Sequence, residues 1–512
     1  MQMQRSTIYS SVEFHHTKQE DGSYFGVVSL RMPSVVAENT SNIDIHSMND
    51  MSGSMMEDAA DGRTKMLHLK LTLCNIVSLI AGNPRCMMEI AGFDDSIVPV
   101  LERTAIEPEQ IQRIHGVINM KLAPRGYTNI ELALIHSHGR LGNHTGFNGD
   151  KHMIFMTDGN ITKGSSNISE LRKLVREDSQ NYFVGFGESH DFELLQSLSD
   201  RINCHYYYVD AIENAGLVFG EIVHNILHPA LRSGKIVVEN CEIYDFNDGK
   251  WKTELELPIL CEEVEKHYHI RSETPASVEI HLTGVLGPDQ AIDIRDNPCH
   301  ELSDVETSLE HEYVGIEDLT KYIFRQKTQE AMFEAAEYAK IAKKEKGEFT
   351  RIQNRLNALR EEIEEYSNQN VVNLLDTAFL KQLQDDLYIC GKKLKSDRGL
   401  LYINTRRSTQ GREGSYNITN ITREYGENEE IEDGEDYQIE RTAYNIAHTT
   451  PRQLTTMRTC SQTPYAYEDE DLVDDYLVKN GVMTQTTLEL EDDVELKDDV
   501  ELEGRINTPS CF

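Results

Sequence analysis

The chain has 512 residues and a formal net charge of −37, with 50 Lys and Arg against 87 Asp and Glu. So long a chain calls for more than one core, and so acidic a one argues against a nucleic-acid-binding or anionic-membrane surface, either of which needs Lys and Arg in excess. No run of about 18 apolar residues marks a transmembrane helix, and the opening Met1-Gln-Met-Gln-Arg-Ser-Thr lacks the apolar stretch of a signal peptide.

In chain order, residues 1–40 read as an extension with one strand, at 24–30. Residues 41–228 alternate short apolar strands with amphipathic helices. The helix at 65–80 places Leu67, Leu71, Cys74 and Leu79 near one face, with Leu69, Leu73, Ile76 and Val77 widening the stripe. Strands are expected at 86–93, 152–157, 182–186 and 205–209, and helices at 110–120, 129–138, 169–178, 192–200 and 215–226. This alternation predicts an α/β fold, a Rossmann-like, doubly wound, mainly parallel sheet with helices on both faces. Residues 232–315 switch to period two, with strands at 235–246, 252–257, 267–272 and 278–282. They form a small antiparallel β domain, with Asp248-Gly249 as a hairpin turn. Residues 316–412 are helical: 319–346, an interruption at Gly347, 349–366 with Ile352, Leu356, Leu359 and Ile363 at helical spacing, and 371–390 with Gly391 as its stop. A helical hairpin or three-helix packing module accounts for them. The last segment, 413–512, is acidic. Residues 427–503 hold 23 acidic residues against five basic ones, a net of −18, and Asp492-Asp-Val-Glu-Leu recurs at Asp498. Such composition predicts a disordered tail. Nine cysteines without a Cys-x-x-Cys favour a reducing compartment over a disulfide framework or a zinc site. The expected location is therefore intracellular, by default the cytoplasm.

Three short segments carry the chemistry. Asp50-Met-Ser52-Gly53-Ser54-Met55 follows a candidate strand and precedes the helix at 65–80. Gly126-Tyr-Thr128-Asn129 opens the next helix but one, and Thr157-Asp158-Gly159 closes the apolar run 153–156. In a parallel sheet, ligands gather beyond the carboxyl ends of the strands. Two carboxylates, Asp50 and Asp158, and three hydroxyls, Ser52, Ser54 and Thr128, would meet at that rim. Gly53 permits a tight bend between the two serines. Hard oxygens suit Mg²⁺, or Mn²⁺ or Ca²⁺, over zinc or copper. Neutral hydroxyls leave such an ion electrophilic, with a position open to the Asp or Glu of a partner protein.

Asp-x-Ser-x-Ser, then Thr after Gly, then Thr-Asp-Gly at a strand end resembles the metal-ion-dependent adhesion site of von Willebrand factor type A domains. Phe93-Asp94, Val184-Gly-Phe-Gly187 and His190-Asp-Phe-Glu-Leu-Leu195 resemble that family's strand ends and late helix. The resemblance implies that Asp50, Ser52 and Ser54 lie on the first metal-binding loop, and Thr128 and Asp158 on the second and third. Two departures stand out. The first strand, Ile43-Asp-Ile-His-Ser-Met-Asn49, is polar, and so needs buried partners or a shorter or shifted strand. Tyr127 stands where the family commonly has a small residue. Downstream, the β-rich and helical segments, with Tyr402-Ile-Asn and the stretch from Arg406 to Arg412, resemble intracellular type A proteins with an inter-α-trypsin-inhibitor-like extension. These occur in plants, fungi and large DNA viruses, and for a viral source a virion is the alternative location.

The function expected is a divalent-metal-dependent protein–protein interaction scaffold, not an enzyme. Ser52 has no His or Lys placed by sequence as its base, and no Gly-rich phosphate loop occurs. Two rivals belong to other classes. One is a structural or assembly protein with a vestigial metal site; the other is a metal-dependent phosphoester hydrolase, which would need a second metal or a general base.

Overall fold

The computed structural model describes residues 11–301, 319–413 and 450–460, apart from short internal stretches. The expectations for the acidic run at 427–436 and the repeat at 492–502 fall outside the described residues. Two N-terminal strands, β1 (Ser11–Lys18) and β2 (Tyr24–Arg31), form an antiparallel pair. Then come β3 (Asn42–Asp50), α1 (Lys65–Ile80), β4 (Cys86–Phe93), β5 (Ile97–Ala105), α2 (Ile111–Lys121), α3 (Ile130–Gly142), β6 (Gly149–Thr157), α4 (Ile168–Leu174), β7 (Gln180–Phe186), α5 (Phe192–Leu198), β8 (Cys204–Val209) and α6 (Ala215–Leu227).

Strands β3 to β8 build one sheet in the order β5-β4-β3-β6-β7-β8, parallel throughout except for the β4–β5 hairpin. Both faces are covered, as a parallel sheet requires. On one face α1, α2 and α6 bury Leu69, Ile118 and Phe219 against Ile45 and Ile154. On the other, α3 and α5 bury Leu134 and Leu195 against Phe93 and Phe155. The buried stripe of α1 is Met66, Leu69, Leu73, Ile76, Val77 and Ile80, while Leu67 is exposed. Of the face read from the sequence, Cys74 is in the core and Leu79 packs against it, whereas Leu67 is not; the residues taken as widening the stripe are all core. Polar as it is, β3 is neither shortened nor shifted: it pairs with β4 from Ile43 to Asp50 and with β6 from Asn42 to Asn49.

Nine strands follow: β9 (Pro229–Glu239), β10 (Glu242–Asp245), β11 (Lys250–Lys252), β12 (Glu254–Glu256), β13 (Leu260–Cys261), β14 (Glu265–Ser272), β15 (Glu279–Leu286), β16 (Gln290–Asp296) and β17 (Cys299–Glu301). They form two further sheets, β11-β10-β14-β2-β1-β17 and β12-β9-β15-β16, with β13 paired to β9. The N-terminal strands therefore belong here, and β2 pairs with β14 along its whole length. Alternation along β2 explains its place. Val28 and Leu30 face the core shared by the two sheets, with Ile236, Ile270 and Leu282, whereas Phe25 and Val27 face Leu319 and Tyr322.

Helices α7 (Thr320–Ala339), α8 (Lys346–Gln369), α9 (Leu374–Lys393) and α10 (Gly399–Arg412) bury a common core that includes Met332, Leu356, Leu383 and Ile403. Gly391 does not stop α9, which runs on to Lys393. One more helix, α11 (Pro451–Cys460), lies inside the segment expected to be disordered. It rests on the type of surface a tail would not need: Leu454, Met457 and Cys460 are buried, and Asn75 Nδ2 of α1 donates to the Cys460 carbonyl at 3.0 Å.

Candidate functional site

The crevice lies where the chain order reverses. From β3 the chain passes through α1 to β4 on one side, and β6 flanks β3 on the other, so the carboxyl ends of β3 and β6 border a topological switch point. Asp50 is the last residue of β3 and Thr157 the last of β6. The Thr157 hydroxyl donates to Asp50 Oδ2. Asp50 Oδ1 accepts the Ser52 N–H at 2.7 Å, which turns the chain back over the strand end. Ser52 Oγ lies 3.0 Å from Ser54 Oγ, and Ser54 Oγ donates to Asp158 Oδ1 at 2.7 Å. Four of the five expected residues thus form one continuous hydrogen-bonded chain.

Thr128 joins them across Gly159, where an added Cβ would stand 3.2 Å from Thr128 Oγ1 and 3.7 Å from Ser54 Oγ. Its loop is held on both sides. The Thr128 N–H donates to Thr162 Oγ1 at 2.8 Å, and its carbonyl accepts from the N–H groups of Thr162 and Lys163 at 3.1 and 3.2 Å. Gly126 has φ +67°, and a Cβ there would meet the Asp94 side chain at 3.2 Å, so glycine fits on both counts. Gly53 is different. It lies outside the left-handed region, and an added Cβ would meet only Gly126 O, at 3.9 Å. Tyr127 is exposed, as is Met56 just beyond the serine loop.

Asp50 and Asp158 are fully buried. Burial, and then the neighbouring Asp158 charge, push the Asp50 carboxyl up to about 6 against the hydrogen bonds from Thr157 and Ser52 that favour its anion. Lys65, the first residue of α1, donates to Asp158 Oδ2 at 2.8 Å and to Glu57 Oε2 at 2.6 Å. Burial opposes its charge, but these carboxylates outweigh burial and raise its pKa.

Among the described residues, no group of three or more His, Cys, Asp or Glu converges as a metal cluster. A cation held at this rim would therefore depend on hydroxyls as well as carboxylates. Asp94 anchors the second loop: its carboxylate accepts from Arg125 Nε at 2.6 Å and its carbonyl from the Asn129 N–H at 3.2 Å. Sequence reasoning placed Thr157 in the third segment and Asp94 at a strand end without giving either a role, and it missed Lys65. For Lys65 a signal existed, a basic residue opening the helix that follows Asp-x-Ser-x-Ser.

Residues 44–221 match the von Willebrand factor type A domain. This stretch is a type A domain. Type A domains are in general metal-dependent protein–protein interaction modules. Among solved structures, the chain is similar to a von Willebrand factor type A protein from Catenulispora acidiphila, at 13% identity over 74% of this chain and 91% of that one, with a TM-score of 0.46. It is similar to the ArnB paralog VWA2 from Sulfolobus acidocaldarius, at 14% identity over 80% and 99%, with a TM-score of 0.45. A third similar structure is proximal thread matrix protein 1 from the mussel byssus with a zinc-occupied MIDAS motif, at 17% identity over 38% and 47%, with a TM-score of 0.30. No curated protein sequence matches the chain. Among the described residues, no helix is long and apolar enough to cross a membrane.

Proposed function

We propose that the type A domain is a protein-binding module that works through one divalent cation, Mg²⁺ in the first place, held by Asp50, Ser52, Ser54, Thr128 and Asp158. The supporting observation is the hydrogen-bonded chain itself: two buried carboxylates linked through Ser52 and Ser54 at a strand-end crevice. Burial, and then the Asp158 charge beside it, keep the Asp50 carboxyl raised even with Lys65 paired to Asp158, and a hard cation is a ligand that relieves that cost with this donor set. A bound ion supplies Lewis-acid attraction for the Asp or Glu carboxylate of a partner. The chain's own residues do the rest. Thr157 and the Ser52 N–H orient Asp50, Thr162 and Asp94 fix the Thr128 loop, and the exposed Tyr127 and Met56 beside the rim offer apolar contact to the partner's surface.

The test combines calorimetry with affinity capture. Wild-type protein is expected to bind Mg²⁺ or Mn²⁺ and to retain a partner in Mg²⁺ that is released by chelator, and Asp50→Ala is expected to lose both. A partner recovered in full with EDTA present overturns the metal step.

A further inference from the structure

If the crevice holds a cation as proposed above, Lys65 is a fixed positive charge beside it, paired with Asp158. A cation in the first turn of a helix opposes the helix macrodipole, and α1 has no acidic residue in its own first turn to offset it. Yet Lys65 is held there firmly. Its N–H donates to the Glu57 carbonyl at 3.0 Å, an Asp58–Thr64 bridge closes the loop between them, and Thr64 caps the helix by accepting the Leu67 N–H at 3.2 Å. The side chain is 16% exposed, and its ammonium ends 2.8 Å from the oxygen of Asp158 that Ser54 does not use. Local rules broken in this way mark functional positions.

We infer that Lys65 is a positioning residue that sets the charge of the metal rim, weakening the hold of the site on its cation while strengthening the pull of that cation on a partner carboxylate. Asp50 and Asp158 together carry the two negative charges that would neutralise a divalent ion. Lys65 adds one positive charge against Asp158. The other carboxylate it touches, Glu57, is 64% exposed and largely screened by water. The loaded rim is therefore net positive, which suits a site whose task is to recruit an anion from outside. Without Lys65 the same rim would be neutral, better at keeping its ion and poorer at attracting a carboxylate.

These effects have opposite signs, which separates them from a merely structural role, since misfolding weakens both. The probe is Mn²⁺ bound to the full chain, followed by the relaxation of solvent water protons, with acetate then titrated in to displace metal-bound water. Lys65→Met, which keeps the aliphatic stem, and Lys65→Gln are each expected to bind Mn²⁺ about tenfold more tightly, as loss of a nearby like charge predicts, and to respond more weakly to acetate. Lys65→Arg is expected to behave as wild type. Equal or weaker Mn²⁺ binding by the two neutral variants, with their melting unchanged, overturns the role of Lys65 and leaves the metal site standing. A wild-type chain that takes up no Mn²⁺ overturns the site, and the inference with it.

Discussion

Asp44 is a buried carboxylate near the start of a central strand, and its partner comes from the sheet edge: Arg103 on β5 forms an ion pair with it at 2.6 Å. The other polar residues of β3 are served in the same way. His46 Nε2 lies 3.1 Å from Ser137 Oγ on α3, and its ring approaches Glu89, which is paired with Arg140 of α3 at 2.6 Å. Asn49 Nδ2 donates to the Ala91 carbonyl at 3.0 Å. Burial nonetheless pushes the Asp44 carboxyl up to about 6, with Arg103 pulling the other way. In the unfolded chain an aspartate titrates near 3.9. Between about pH 4 and 6 the folded form therefore binds the extra proton, so this group's contribution to stability falls as pH rises through that window and is level above it. Asp44→Asn removes the titration. Denaturant unfolding of both proteins should show wild type losing on the order of 2–3 kcal/mol relative to the variant between pH 4 and 6. A difference that stays flat with pH contradicts the raised carboxyl. The need for partners was legible in the sequence of β3. Their identity was not, because Arg103, Ser137 and Arg140 sit on elements far along the chain.

At the scale of elements, one buried arginine ties the helices to the second sheet. Arg325 on α7 pairs with Glu413, which ends α10, and both side chains are only 2% exposed. Arg325 also donates to the carbonyls of Gln410 at 2.6 Å and His267 at 3.2 Å, while Glu413 accepts the His267 N–H at 3.1 Å. Glu413 closes α10 in the left-handed region, at φ +49°, where glycine is the usual occupant. Removing its carboxylate leaves a buried guanidinium without its counter-charge, so Glu413→Ala is expected to cost about 3–5 kcal/mol in urea unfolding. Glu413→Gly removes the same charge but relieves the backbone, and is expected to cost about 1 kcal/mol less than the alanine variant. The reverse order would show that the left-handed turn at Glu413 carries no such strain, and a cost well below this range for both variants would show that the ion pair does not hold this joint. Little of this was readable beforehand. Period two located the strands but merged β9 with β10, which separate at Asn240, φ +59°, and enter different sheets. Pro99, Glu102 and Arg103 hid β5 by breaking its alternation. Gly391 looked like a helix stop, yet Leu387, Cys390 and Leu394 on either side of it are buried with the other helices, and that packing carries the helix through.

For the molecule as a whole, the meeting of the three crevice loops was the most legible part, since their motif needs only local order and a parallel sheet. The return of the chain at α11 was the least. Ten residues with three buried apolar positions are too few to make a helix alone, and the surface that receives them, on α1 and α6, lies more than 200 positions earlier. That surface has a definite sequence mark in Gly220. An added Cβ there would stand 2.5 Å from Met457 Cα and 3.1 Å from the Thr456 carbonyl, so the two helices touch backbone to backbone. Glycine inside a helix is otherwise a liability, and replacing it with alanine in an unobstructed helix gains about 1 kcal/mol. In the full chain Gly220→Ala is expected to do the opposite. The methyl group must lift α11 from its seat and expose Leu454 and Met457, a net loss of about 1–3 kcal/mol by thermal melting. In a chain ended at Ala447 the obstruction is gone, and the same substitution should stabilise. A sign reversal between the two backgrounds is a readout that propensity alone cannot produce. If the substitution stabilises both, α11 does not rest on Gly220 in solution.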